Sequence, residues 1–336
     1  MSTKRGRRHG PARSVLEGSV ALQFYVNGRS KLEIADEFGI SRFKVARMLD
    51  AARESGLVRV EFDLPQPLDL ALCDEVRRVY DLDRALVLQR GPCNQTRSAL
   101  RKRIGALAAE LLTEVVTPQD VVGLSWARSV NVMTEAVTKL ARCPIVQLCG
   151  VQAGMDMRDR SVETVRRVAA VSGGDAYPIF GPLVLPDKRT TEILRGQPGI
   201  AETFSQFAHL TKAVVSIGAW LPGESTVYDA LKPAEREAIG QRGAKAEVAA
   251  RLFDADGNAL STGLAHHVLA IDTEDLRRVP EVIAIGYSTP KAEAVDAVLR
   301  SGMVSTLIID AEAAEVVLKL AADRPPQRRV GTRQQL

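Results

Sequence analysis

Residues 31–50 read KLEIADEFGISRFKVARMLD, and this stretch predicts two short helices joined by a tight turn. Two helices that cross steeply need a small residue where they touch, and Ala35 provides it. The turn needs a residue that tolerates positive φ, which Gly39 does. The apolar residues fall at spacings that close a small core between the helices: Ile34, Phe38, Ile40, Val45 and Met48. The stretch therefore predicts a helix-turn-helix.

The second of these helices carries the residues expected to read DNA. Ser41 is placed as its N-cap, which leaves the first-turn amides close to a phosphate. Once the apolar positions are used in packing, the exposed face consists of Arg42, Phe43, Lys44 and Arg47. Arginine and lysine there can read guanine edges or clamp phosphates in the major groove. The alternative is an ordinary helical hairpin, but the agreement of small, glycine and apolar positions favours DNA binding.

Charge is distributed unevenly along the chain of 336 residues. Residues 1–60 hold 12 Lys or Arg against 6 Asp or Glu, whereas the remaining residues hold 33 against 35. A basic head on a near-neutral body is expected when one end of a protein meets a polyanion. A solvated basic tail would give the same asymmetry, because many of these charges precede residue 14. Charge alone therefore decides little between the two.

The pattern predicts four segments: a flexible basic arm at 1–13, a winged-type helix-turn-helix domain at 14–64, an α/β domain at 65–322, for which an effector-binding role is argued below, and a flexible tail at 323–336. Val58–Phe62 alternates like a short strand, in which Arg59 is either a modest wing contact or simply exposed. Pro65 and Pro67 indicate a hinge. A helix over Leu68–Tyr80 is expected either to pack on the body or to bridge subunits.

The body alternates apolar strands with amphipathic helices, which is typical of a mainly parallel sheet covered on both faces. The predicted strands are Ala85–Gln89, Asp120–Ser125, Ile145–Gly150, Ala213–Gly218, Val282–Gly286 and Thr306–Asp310. The predicted helices include Arg101–Val115, Val130–Ala141, Val162–Ala170 and Lys291–Ser301. At 46% hydrophobic and 26% charged residues, the chain has the composition of a globular protein.

Residues 15–320 resemble the SorC (sorbitol-operon regulator) family of sugar-responsive transcription factors. The matching segments are 30–60, 122–129 (VGLSWARS), 145–150 (IVQLCG), 181–184 (GPLV), 243–247 (GAKAE), 252–257 (LFDADG) and 282–286 (VIAIG) leading to Lys291. The resemblance implies a Rossmann-like sensor domain similar to sugar-phosphate isomerases, which binds a phosphorylated sugar or polyol without converting it. It also implies dimers or tetramers on operator DNA. The family carries glycine and threonine where this chain has Ala127 and Ser129.

The loop at residues 125–129 is the first candidate effector site. It joins the carboxyl end of a strand to a helix N-terminus, an arrangement that attracts anions. Ser125 and Ser129 add hydroxyl donors, and Arg128 adds a fork for a carboxylate or phosphate. Trp126 is expected to wall the pocket, unless it is a buried structural residue. The alternative for Ser129 is that it only caps its helix.

Three further residues are candidates for the same site. Lys291 follows the strand at 282–286 and is a point charge suited to a phosphate. Glu247 stands where the family carries an acidic residue near the sugar hydroxyls, and a carboxylate accepts hydrogen bonds from a polyol. The Gly150 backbone is placed as part of the pocket floor. Lys291 and Glu247 could each be an ordinary surface charge instead.

These observations predict a cytoplasmic transcription regulator whose binding to double-stranded operator DNA is modulated by a sugar, polyol or sugar phosphate. We expect a homo-oligomer, no cofactor, no metal and no membrane segment. One alternative is a sugar-phosphate isomerase or deaminase with an appended DNA-binding head, in which Glu247, Asp254 or Asp256 would be a general base. Another is a general nucleic-acid-binding protein without a ligand.

Overall fold

The computed structural model describes residues 11–59, 67–93, 95–151 and 161–324. The chain divides into two compact units, Met1–Pro65 and Gln66–Leu336. This division falls one residue beyond the boundary predicted after residue 64. The predicted tail, apart from Asp323 and Arg324, lies outside the described residues. None of the helices in the described ranges has the length and hydropathy of a membrane span.

The first unit contains three described helices: α1 (Pro11–Tyr25), α2 (Lys31–Phe38) and α3 (Arg42–Glu54). Ser30 opens α2 in a capping box with Glu33, and Gly39 ends it in the left-handed conformation with φ 60°. The Ser41 hydroxyl accepts the Lys44 amide hydrogen at 3.2 Å, so Ser41 is the N-cap of α3 as predicted. A cap of this kind contributes about 1 kcal/mol of helix stability. The helix-turn-helix expected from residues 31–50 is therefore present.

The core of this unit lies between the three helices. Ala35 is buried in it, as the small contact residue was expected to be. The fully or largely buried members are Val20, Ala21, Ile34, Ala35, Val45, Met48, Leu49 and Ala52, with Phe38 and Ile40 packed against them. Since α1 begins at Pro11, residues 11–13 of the predicted arm are helical. Most of the strand predicted over Val58–Phe62, and hence the wing, lies outside the described residues.

The second unit is built on a parallel sheet of seven described strands in the order β1-β10-β9-β5-β2-β3-β4. The strands are β1 (Arg84–Leu88), β2 (Val122–Leu124), β3 (Ile145–Gln147), β4 (Ala176–Tyr177), β5 (Lys212–Ser216), β9 (Glu281–Ile285) and β10 (Thr306–Asp310). From β2 the chain proceeds to β3 and β4 in one direction, and from β5 it proceeds to β9 and β10 in the other. The order therefore reverses between β2 and β5. The mainly parallel sheet predicted from the sequence is confirmed.

Helices cover both faces of this sheet. The helices of the unit are α4 (Leu70–Val79), α5 (Arg97–Val115), α6 (Arg128–Ala136), α7 (Ser161–Ser172), α8 (Lys188–Arg195), α9 (Pro198–Ser205), α10 (Thr226–Ala230), α11 (Pro233–Gln241), α12 (Thr273–Arg278), α13 (Ala292–Arg300) and α14 (Ala311–Asp323). One core joins α5, α6 and α7 to the sheet, and another joins α4, α13 and α14 to its opposite face. Helix α4 packs on the body: Val76 is fully buried, and the Tyr80 hydroxyl donates to Asp296 Oδ1 at 2.6 Å.

A small antiparallel sheet was not predicted from the sequence. It consists of β6 (Gly218–Ala219), β7 (Ala246–Val248) and β8 (Arg251–Phe253). The turn between β7 and β8 has only two residues, Ala249 and Ala250, with φ of 48° and 63°. Two consecutive left-handed residues give the turn a twist that fits a hairpin, but glycine or asparagine normally occupies them. Because alanine gives no turn signal at these two positions, the sequence does not predict the hairpin.

Candidate functional sites

The exposed face of α3 carries the residues that the sequence predicts to contact DNA. Arg42, Lys44 and Arg47 are all exposed, and 81% of Phe43 is exposed. Among the described residues no carboxylate forms an ion pair with these three cations. The hairpin core accounts for the other side of α3, where Val45 and Met48 are buried. The cations are consequently free to meet phosphates or base edges.

The second site is a pocket at the carboxyl ends of β2, β5 and β9, beside the small antiparallel sheet. These three strands are neighbours, and the pocket lies where the strand order reverses, the usual ligand position in an open α/β sheet. The space between its lining residues is about 480 Å³, a figure that includes the region open to solvent, and the enclosed cavity itself is about 40 Å³. Its lining is Arg97, Ser125, Trp126, Ala127, Arg128, Ser129, Ser216, Gly218, Gly223, Glu224, Ser225, Thr226, Glu247, Ala249, Tyr287 and Lys291. Of the seven predicted effector residues, this pocket brings together six.

The wall formed by β2 and α6 ends in an uncapped helix. Ala127 is the N-cap of α6 and has no side-chain hydrogen bond to the first turn, so the first amides of the helix have no intrahelical acceptor. The alternative interpretation of the sequence, in which Ser129 only caps the helix, does not hold, because the N-cap is Ala127. The Ser129 hydroxyl bonds to the Ser216 hydroxyl at 3.0 Å, and the Ser125 hydroxyl accepts the Ser216 amide hydrogen. The positive end of α6 therefore opens toward the pocket together with serine hydroxyls.

Lys291 lies at the opposite side of the pocket, in the turn of 3-10 helix (Thr289–Lys291) that precedes α13. It is buried, and its Nζ donates to the carbonyl of Ile217 at 2.9 Å. Burial lowers the pKa of Lys291 to about 8, although the carboxylates of Glu224 and Glu247 favour its charged form. Within the described part of the chain the Ile217 carbonyl is the one hydrogen-bond acceptor of Lys291 Nζ, so the ammonium retains two donor hydrogens for an anionic ligand.

Glu247 on β7 is buried and held by hydrogen bonds to both carboxylate oxygens. The Ala250 amide donates to Oε1 at 2.6 Å, and the Ser225 hydroxyl donates to Oε2 at 3.1 Å. Burial raises the pKa of Glu247, against the effect of these hydrogen bonds and of Lys291. A β-carbon on Gly218 would lie 2.7 Å from Oε2, which explains the glycine there. The left-handed turn thus fixes the carboxylate at the pocket wall, where it can accept ligand hydroxyls.

Two ion pairs border the pocket. Arg128 Nη2 lies 3.5 Å from Asp229 Oδ2, and Arg97 pairs with Glu224. Arg97, Glu224 and Ser225 were not predicted as site residues. They come from α5 and from the loop before α10, and only the position of Arg97 just after the helix-capping Thr96 offered a signal in the sequence. The cations of the site are therefore partly balanced by carboxylates.

Of the predicted residues Trp126 and Gly150, only Trp126 belongs to the pocket lining. Trp126 lines the pocket, and its buried Nε1 has no hydrogen-bond acceptor within the described ranges. Gly150 is not a lining residue of the pocket, so the floor position expected of it is not found. Its amide donates to the Leu269 carbonyl, and a β-carbon there would lie 2.8 Å from the carbonyl oxygen of Gly181. Close backbone packing accounts for this glycine.

No group of three or more His, Cys, Asp or Glu side chains in the described segments is arranged to hold a metal. The polar lining instead provides hydroxyl, carboxylate, guanidinium and ammonium groups, together with helix amides. Such a set can bind a small molecule that carries both hydroxyls and negative charge.

Comparison with known proteins agrees with both units. The family model described as "Putative sugar-binding domain" matches residues 66–319. The chain is 25% identical over 304 residues to the uncharacterized transcriptional regulator YjhU of Escherichia coli K12, covering 88% of this chain and 92% of that protein. It is 22% identical over 306 residues to the sorbitol operon regulator of Klebsiella pneumoniae, covering 89% and 96%.

A solved structure extends the likeness to the fold. The full-length sorbitol operon regulator SorC from Klebsiella pneumoniae matches with a TM-score of 0.68 at 20% sequence identity, covering 91% of this chain and 99% of that chain. Because the relatives are named as transcription regulators, the alternative of an isomerase or deaminase is discarded. The chain belongs to the SorC family of transcription regulators that carry a sugar-binding domain.

Proposed function

We propose that this regulator binds double-stranded operator DNA through Ser41, Arg42, Phe43, Lys44 and Arg47 of its first unit, and that a carbohydrate effector in the pocket of its second unit modulates that binding. The observation that carries the effector half is the convergence of a buried lysine, an uncapped helix N-terminus and a buried carboxylate on one pocket. A protein with these partners is expected in the cytoplasm.

The chemistry of the pocket supports a phosphorylated sugar or polyol. The α6 amides offer donors for a phosphate, while Lys291 offers a charge. Glu247 and Ser125 suit the hydroxyls of the carbon chain. Because the protein already uses both Glu247 oxygens once, each retains one lone pair for a ligand hydroxyl.

The proposed mechanism is a shift between two arrangements of the subunits of a homo-oligomer. Effector binding stabilises one arrangement, and only one of the two spaces the α3 helices to match half-sites about one DNA turn or a multiple apart. The segment around Pro67 and helix α4 would connect the two units. An effector that contacts both arrangements equally would change nothing, so the contacts of Lys291 and Glu247 must differ between them.

The test begins with the purified full chain and a panel of sugars, polyols and their phosphates in a thermal-shift assay. A compound that shifts the melting temperature is then added to complexes of the protein with DNA fragments, which the protein has first selected from the genomic DNA of the organism that encodes it. We expect at least one phosphorylated compound to raise the melting temperature and to change the fraction of DNA bound. The proposal would be contradicted if fragments were selected with no preference over bulk DNA, or if no compound altered either measurement.

A further inference from the structure

Helix α1 has two apolar faces, of which the structure explains one. Leu16, Val20 and Phe24 turn toward the core of the first unit. At about 100° per residue, Val15 and Leu22 fall close together on the opposite side of α1. Val26 follows the last residue of the helix, and because its amide still donates to the Leu22 carbonyl at 3.0 Å, it lies on the same side, within an arc of about 40°. Their exposed fractions are 68%, 52% and 72%. We call these three residues the α1 ridge.

The ridge is uncharged although the unit around it is basic. Residues 1–60 carry 12 Lys or Arg against 6 Asp or Glu. Between Ser14 and Val26 the one charged residue is Glu17, and it is only 2% exposed. Two basic units repel each other unless they approach on an uncharged surface. The ridge is such a surface, and Gly18 and Ser19 beside it allow close approach.

We propose that the α1 ridge packs against the same ridge of a second copy of this chain, forming a two-fold contact between DNA-binding units. A nucleic acid is a poor occupant, since the ridge offers it no charge or hydrogen-bond donor. A two-fold contact is self-complementary, and an apolar ridge of this kind can meet its own copy. The proposal rests on the homo-oligomer of the proposed function and gives it a specific surface.

The size of the ridge limits the strength of this contact. A helix of 15 residues is about 22 Å long, and a stable dimer buries about 800 Å² on each partner. Three exposed apolar side chains, two on α1 and one just after it, fall short of that area. The contact is therefore expected to form where the second units, or adjacent operator half-sites, already hold two copies together at high effective concentration.

Cross-linking of the full chain tests the proposal. Ser19 lies near the middle of the ridge, so the two Ser19 positions approach each other whichever way the helices run. In a Cys93→Ser background, which removes an exposed thiol, Ser19→Cys is treated with a short bismaleimide. We expect a covalent dimer whose linked peptides both contain position 19. Asp50→Cys, at an exposed position of α3, is the matched control and should remain uncross-linked.

A second variant tests the role of the apolar side chains. Leu22→Glu, added to the Ser19→Cys chain, should reduce the yield of dimer at least fivefold, because it places like charges at the contact. Sedimentation velocity should give the same oligomer with and without Leu22→Glu. Three outcomes would overturn the proposal. The thiol at position 19 could link to a peptide of residues 66–336, or it could link no better than the Asp50→Cys control. It could also link equally well after Leu22→Glu. A chain that binds DNA and effector but gives no α1 cross-link would refute this contact and leave the proposed function standing.

Discussion

The two units place their functional residues in opposite ways. In the first unit the residues proposed to contact DNA are consecutive or nearly so along α3 and its N-cap, and they are exposed. In the second unit the pocket residues are spread from Arg97 to Lys291, and Glu247 and Lys291 are buried. A surface that must reach a polyanion can be built from one amphipathic helix. A pocket that must enclose a small molecule needs several elements that meet only in the folded chain.

The difference extends to electrostatics. Arg42, Lys44 and Arg47 face solvent, so their charges are screened by salt. Lys291 and Glu247 are buried, and burial lowers the pKa of the lysine and raises the pKa of the glutamate. We therefore expect DNA binding to respond mainly to salt, and effector binding to respond mainly to pH.

The largest effect is expected for Arg42→Ala combined with Arg47→Ala. Each lost contact to a base edge or phosphate costs about 1–3 kcal/mol, so affinity for a selected DNA fragment should fall about 100-fold or more. Circular dichroism and effector affinity should be unchanged, because both side chains are exposed. Arg59→Ala provides a comparison outside α3. Unchanged retardation of the DNA fragment by the double variant would reject α3 as the reading helix.

Lys291→Met should have the next largest effect, and only on the effector. A lost charge-assisted hydrogen bond costs about 1.5–3 kcal/mol, so affinity for a phosphorylated effector should fall about 10- to 100-fold in calorimetry. Lys245→Met is the matched control, since Lys245 is an exposed lysine paired with Glu293. DNA affinity without effector should be the same in both variants. Equal effector affinity in Lys291→Met and in the unaltered chain would remove this lysine from the site.

A smaller effect is expected from pH. Lys291 has a pKa of about 8 and is charged below it, so affinity for a phosphorylated effector should fall as the pH rises from 7 to 9, by up to tenfold per pH unit above 8. DNA binding should stay constant over this range because arginine remains charged. Calorimetry at several pH values measures the first effect and fluorescence anisotropy the second. If effector affinity did not change with pH, or if it changed equally in Lys291→Met, the charge of Lys291 would not be what binds the phosphate.

The smallest effect separates two glycines of the first unit. A β-carbon would meet no atom within 4 Å at either Gly18 or Gly39, but Gly39 has φ of 60°. Gly39→Ala should therefore destabilise the unit by about 1 kcal/mol, whereas Gly18→Ala, inside α1, should stabilise it by about 0.5–1 kcal/mol. Hydrogen exchange of the amides at 31–54 in the full chain measures both. If both variants changed the stability of the unit in the same direction, the left-handed conformation of Gly39 would not be what fixes the turn between α2 and α3.

Much of the fold could be predicted because its signals are local. The strand at Thr306–Asp310 has the predicted bounds, and Ser41 and Gly39 fill the roles that their side chains dictate. Asp120–Ser125 was predicted too long, since the strand covers Val122–Leu124 and the Asp120 carboxylate accepts a hydrogen bond from the Thr117 amide in the turn before it. The small sheet was missed because Ala249 and Ala250 adopt a conformation that alanine rarely takes.

The pocket was only partly predictable, because only some of its residues carry a local signal. Lys291 and Ser129 follow strand ends, where parallel sheets collect ligand residues, and the family resemblance pointed to Glu247. Nothing local to Glu224, Ser225 or Ser216 distinguishes them from ordinary surface residues. Gly150 looked like a floor position, but its neighbours at 181 and 269 come from distant parts of the chain.

The sequence by itself determined the helix-turn-helix, its exposed cations and the parallel sheet, because periodicity, caps and turn residues act over a few positions. Only the tertiary structure decided which hydroxyls, carboxylates and cations share the pocket, and that Lys291 loses much of its contact with water. Those properties depend on the packing of β2, β5, β9 and the small sheet, which brings together residues far apart in the chain.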